Sequence, residues 1–152
     1  MEKSVATKYS SLALAYIGDS VFDLIIKSMI LSFGNRPVRV LHWETSCIVE
    51  AKCQAKLAEG ILPILHEDEH AVYKRARNSK TISPAKNQKL LDYRKATGFE
   101  ALIGYLYINE DYDRLFELIE TAIKKASLLP DDIAQGDKWK KKAVGLLKAS
   151  ML

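Results

Sequence analysis

The chain has 152 residues, 48% of them hydrophobic, which is the usual size of one domain and enough apolar material to bury one core. Lysine and arginine number 23 against 19 aspartates and glutamates, a formal charge of +4 that suits a polyanionic partner without demanding one. Cys47 and Cys53 have no second pair, which excludes a zinc pattern or a disulfide framework; apolar runs stop well short of about 18 residues and no signal-peptide region follows Met1, so a reducing, cytoplasmic setting is expected and a membrane is not.

Helical spacing runs through most of the chain and sustained strand alternation does not occur, which predicts an all-α fold. A first helix over about 9–31 starts at Ser10-Ser11 and stops before Gly34-Asn35-Arg36-Pro37. A second, over about 38–59, is closed by Gly60 and Pro63. Glu67, Asp68 and Glu69 then sit where a third would begin, against the positive end of its dipole, and it runs to Arg77. Residues 78–87 read as a polar loop, 88–108 as a long fourth helix and 110–127 as an amphipathic fifth. Pro130-Asp131-Asp132 opens a last helix ending near Leu147, so residues 130–152 are expected as a basic helical extension of the domain formed by 1–129.

Two motifs in this layout are set aside. His66-Glu67-Asp68-Glu69-His70 matches the spacing of a zinc-protease helix, but both intervening residues are acidic, the composition is solvent-facing, and His42 lies on a different helix. Lys138-Trp139-Lys140-Lys141-Lys142 resembles a membrane anchor, yet a terminal helix docked through Trp139, Val144 and Leu147 explains it more simply.

The carboxylates Asp19 and Glu100 stand apart from these. Apolar residues surround Asp19 on nearly every face of the first helix, so it is expected to be held away from water, and Gly18 beside it costs about 1 kcal/mol of helix propensity, which points to a close approach there. Glu100 is the only carboxylate between Gly98 and Ile108, with Gly104 opening space for a neighbour. Two such helices packed together would face one carboxylate with another, an arrangement that a hard cation such as magnesium (Mg2+) relieves, with manganese (Mn2+) as a substitute. Asp23, four residues after Asp19, either accepts from metal-bound water or pairs with Lys27.

From Lys74 to Lys95 eight basic residues meet a single acid, Asp92, so this segment alone carries more positive charge than the whole chain has net. Lys74, Arg75, Arg77, Asn78, Lys80 and Lys86 are the candidate nucleic-acid contacts, leading into the helix of Glu100.

Leu14-Ala-Tyr-Ile-Gly-Asp-Ser-Val-Phe-Asp23 resembles the signature helix of ribonuclease III, and Thr97-Gly-Phe-Glu-Ala-Leu-Ile-Gly104 its second catalytic motif. Lys74-Arg-Ala-Arg-Asn-Ser-Lys80 and the continuation to Tyr107 are most similar to the Mini-ribonuclease III branch, which lacks a double-stranded-RNA-binding domain. The resemblance implies an all-helical homodimer that hydrolyses double-stranded RNA with magnesium, leaving 5′-phosphate and 3′-hydroxyl ends, typically in maturing large-subunit (23S) ribosomal RNA precursor. It implies Asp19 and Glu100 as the metal-binding catalytic acids and Tyr16 at the dimer interface. Larger members carry a Glu where this chain has Ala15 and an Asp where it has Thr97, so two of their four site carboxylates are missing, which speaks against a two-metal arrangement; Thr97, like Asp23, is a candidate for a supporting contact around the metal. The alternative these departures raise is an inactive ribonuclease III fold serving as an RNA-binding or scaffold protein. Whether a ribosomal protein assists stays open.

Overall fold

Ser10 starts the first helix: its hydroxyl accepts from the Ala13 backbone N–H at 3.1 Å, capping α1 (Ser11–Ser32). The computed structural model describes residues 6, 8–79 and 88–128 of the chain. After α1 come α2 (Val38–Val49), α3 (Ala51–Ile61), a 3₁₀ turn (Leu62–Ile64), α4 (Glu67–Arg77), α5 (Gln88–Ile108) and α6 (Tyr112–Lys125). No strand occurs among the described residues, as the hydrophobic spacing predicts. The expected last helix, with Trp139, Val144 and Leu147, lies outside them.

α5 is the hub, with α1, α3 and α4 packed around it, α2 on α1, and α6 against α3 and α5. Its apolar residues leave little polar face because neighbours surround it: Phe99, Leu102, Ile103 and Leu106 are fully buried, as are Phe22, Ile26 and Met29 of α1 and Leu115 and Ile119 of α6. Each such side chain contributes about 1.5–3 kcal/mol on leaving water. Phe22 and Phe99 meet edge-to-face, with centroids 5.1 Å apart and planes at 88°, fixing α1 against α5.

Two glycines set how closely these helices cross. A Cβ on Gly18 would lie 1.7 Å from the Glu100 carbonyl oxygen, and one on Gly104 would lie 2.0 Å from that of Leu14. The close approach expected at both positions is therefore present, and it is backbone against backbone. Gly18→Ala and Gly104→Ala each gain about 1 kcal/mol of helix propensity. Overpacking typically costs 1–3 kcal/mol, and here it falls at the upper end or beyond because a carbonyl cannot rotate aside as a side chain can. We expect each substitution to destabilise the protein by roughly 2 kcal/mol or more in chemical denaturation.

The expected single helix over 38–59 is two. Glu50, with φ −65° and ψ 153°, ends α2 and precedes α3. No glycine or proline marks the break, which is made by packing: α2 lies on α1, whereas α3 turns Cys53, Leu57, Ala58 and Ile61 into the core. The buried Gln54 side chain donates to the Val49 carbonyl at 3.0 Å, satisfying an oxygen that the break leaves without its helical donor.

The acidic start of α4 also differs from expectation. The cluster does begin a helix, and the His66 backbone N–H donates to Glu69 at 2.7 Å in a capping box. Yet Glu69 is not solvent-facing: it is wholly buried and receives two hydrogen bonds of 2.9 Å from the Arg114 guanidinium of α6. Arg114 also donates to the Ile64 carbonyl at 2.7 Å, and the Tyr105 hydroxyl of α5 donates to Asp68 at 2.7 Å. An ion pair supplied from a distant helix makes this burial possible, and helix periodicity carries no sign of it.

Candidate active site

The crossing at Gly18 brings the outward face of α1 alongside one face of α5. Tyr93, Thr97 and Glu100 fall at i, i+4 and i+7, so they share one side of α5. Together with Leu12, Ala15, Tyr16 and Asp19 of α1 they line a single open cleft of about 440 Å³. The two carboxylates singled out from sequence thus come from different helices and share one cleft.

Their surroundings differ from expectation in one respect. Asp19 is exposed and Glu100 half-buried, so Asp19 is not held inside the chain. The apolar residues around Asp19 in sequence include Leu12 and Tyr16, themselves 46% and 79% exposed, so α1 has an outward stripe that is apolar without being core. Sequence periodicity cannot separate such a stripe from a buried one. Asp23 forms an ion pair with Lys27 at 2.9 Å.

Ala15 and Thr97 line the same cleft as the two carboxylates. The buried Thr97 hydroxyl donates to the Tyr93 carbonyl at 3.0 Å, so it is engaged by its own helix. Among the described residues no group of three or more His, Cys, Asp or Glu side chains is placed to hold a metal. The donor set in this cleft is two carboxylates, which fits a hard cation that keeps several waters and fits neither a tetrahedral zinc site nor a closed calcium cage.

Of the candidate nucleic-acid contacts, Lys74, Arg75 and Asn78 are exposed at the end of α4 and Arg77 is half-buried. Lys80 and Lys86 lie outside the described residues. Lys95, counted in the basic stretch, forms an ion pair with Glu59 of α3, so its charge is compensated within the fold. The sequence reading did not single out Leu12 or Tyr93 in the cleft; the seven-residue spacing of Tyr93 to Glu100 was the available signal.

Residues 12–111 match the Ribonuclease III domain model. The chain belongs to the ribonuclease III family, in its Mini-ribonuclease III branch. It is 43% identical over 118 residues to the Mini-ribonuclease 3 of Enterococcus faecalis, covering 76% of this chain and 89% of that one. With the Mini-ribonuclease 3 of Thermoanaerobacter sp. the identity is 40% over 124 residues, covering 82% and 87%. A crystal structure of a Fusobacterium nucleatum protein superposes with a TM-score of 0.67 at 32% identity, covering 77% of this chain and 93% of that one. As a ribonuclease III domain, the fold is all-helical throughout its described part, and no described helix is long and apolar enough to cross a membrane.

Proposed function

We propose that this protein is a metal-dependent endoribonuclease that cleaves double-stranded RNA. The observation that carries this reading is the shared cleft of Asp19 and Glu100 in a chain of the ribonuclease III family. The two carboxylates are the residues that would hold magnesium or, in its place, manganese, with water and RNA phosphate completing its coordination. Such an ion supplies an activated water for in-line attack on a phosphodiester and stabilises charge on the departing 3′ oxygen, leaving 5′-phosphate ends. Asp19 and Glu100 orient, and neither needs to accept the proton. Thr97 lines the cleft and is the proposed supporting contact, whereas the pairing of Asp23 with Lys27 favours the surface-pair alternative for Asp23.

Lys74, Arg75, Arg77, Asn78, Lys80 and Lys86 are the proposed RNA contacts, which suits a duplex recognised through phosphates and 2′-hydroxyls. The exposed Leu12, Tyr16 and Tyr93 flank the carboxylates with apolar surface, and this supports a homodimer closed through that face, one site for each strand of the duplex. Residues 1–129 form the catalytic domain in this reading, with 130–152 as its extension, and 23S ribosomal RNA precursor is the natural substrate. Cys47 and Cys53 are both free, which suits a reducing cytoplasm, and burial pushes the Cys53 thiol up to about 11, which makes it a poor nucleophile.

The test is incubation of the purified protein with a long RNA duplex, with and without magnesium. Cleavage to 5′-phosphorylated fragments is expected with the metal and none in excess chelator. Ala15 and Thr97 favour a second reading, an inactive RNA-binding member of the family. Binding without cleavage in either magnesium or manganese would decide for it.

A further inference from the structure

Tyr73 is 1% exposed, yet it lies among the basic residues of α4. Its ring packs closely on α5 at Gly98: a Cβ there would be 2.7 Å from the Tyr73 Cδ2 and Cε2 atoms and 2.9 Å from the Tyr73 carbonyl oxygen. Gly98 belongs to the same turn of α5 that presents Thr97 and Glu100 to the cleft on its other side. Over the Tyr73 ring, 5.7 Å from its centroid, stands the Arg77 guanidinium, whose Nε also donates to Asn78 at 3.3 Å. The Tyr73 hydroxyl makes no well-formed hydrogen bond among the described residues, though the Arg77 guanidinium approaches it, and the ring makes the contact with α5.

Lys74 and Arg75 are exposed, and long cationic side chains in that state lose rotamer freedom on binding. Arg77 differs. It is half-buried, one turn on from an immobile ring that attracts its charge, and that ring is seated on the helix of Glu100. Resting on the reading of this protein as a duplex-RNA nuclease, we propose that Tyr73 is a positioning residue that holds Arg77 ready for a backbone phosphate, at a distance from Glu100 fixed by the Tyr73–Gly98 contact. A guanidinium already ordered loses less on binding, which is worth about three- to tenfold in affinity for one side chain.

The experiment is a double-mutant cycle of Tyr73→Leu and Arg77→Ala, read as KM, kcat and salt dependence on a long RNA duplex, with thermal melting of each variant. Tyr73→Phe keeps the ring and is expected to match wild type. Arg77→Ala should raise KM about three- to tenfold, leave kcat within about twofold and lower the salt slope by about one. Tyr73→Leu should give most of that KM rise alone and add nothing in the Arg77→Ala background. A Tyr73 that acts only on stability would instead change active fraction equally in both backgrounds. If wild type cuts the duplex but the two KM effects add, or Arg77→Ala changes neither KM nor salt slope, the positioning role is overturned and the nuclease reading stands. Failure of wild type to bind the duplex overturns both.

Discussion

Asp19→Asn and Glu100→Gln are each expected to reduce cleavage of an RNA duplex by a factor on the order of 10²–10³ or more, while leaving the protein folded and able to bind the duplex. The size follows from removing a charged group that fixes electrostatic stabilisation of the transition state, a loss that mutagenesis of comparable groups puts at about 10²–10³. Neither replacement changes side-chain volume appreciably. Asp19 is exposed, so its isosteric replacement should shift stability by about 0.5 kcal/mol or less. Single-turnover cleavage at saturating enzyme separates lost chemistry from lost binding, and an unchanged melting temperature excludes unfolding as the cause. Normal cleavage by both variants would remove these carboxylates from the mechanism.

Arg114→Ala is expected to have the largest effect on stability, about 3–5 kcal/mol, because it leaves Glu69 buried without its counter-ion. In a domain of this size that corresponds to roughly 10 °C in melting temperature. Replacing both partners by apolar residues of similar volume should be milder, since no charge is then stranded. The pair also sets an acid limb. Burial works to raise the Glu69 pKa, but the Arg114 hydrogen bond, the His66 backbone N–H and the charge of Arg114 outweigh it and hold the carboxyl below its ordinary value of 4.5. A carboxyl depressed in the folded state contributes stability that is fully present above the unfolded value and is lost as pH falls through the folded one. Wild type should therefore lose this contribution only below about pH 4.5, and the Arg114→Ala variant, with only His66 left to oppose burial, should begin to gain stability from protonation at higher pH. Denaturant titrations across pH 3–6 would measure both. An acid limb unchanged by Arg114→Ala would show that the ion pair does not govern it.

The sequence alone determined the helical class and the helix over 88–108, because a long pattern punctuated at its ends needs no partner to be recognised. It also located Asp19, Glu100, Gly18 and Gly104, since a charge or a glycine in an apolar helix is a local anomaly visible in one dimension. Three things depended on which helix packs against which. The break at Glu50 exists because α2 and α3 bury their faces against different neighbours, and no local residue announces it. Exposure of Asp19 follows from an apolar stripe left facing outward, which has the same spacing as a buried one. Burial of Glu69 requires Arg114, 45 residues away, and a pairing across that distance is set by the tertiary fold alone. The same holds for the cleft: each carboxylate could be named from its own helix, but only the backbone contact of Gly18 with Glu100 decided that the two share one site.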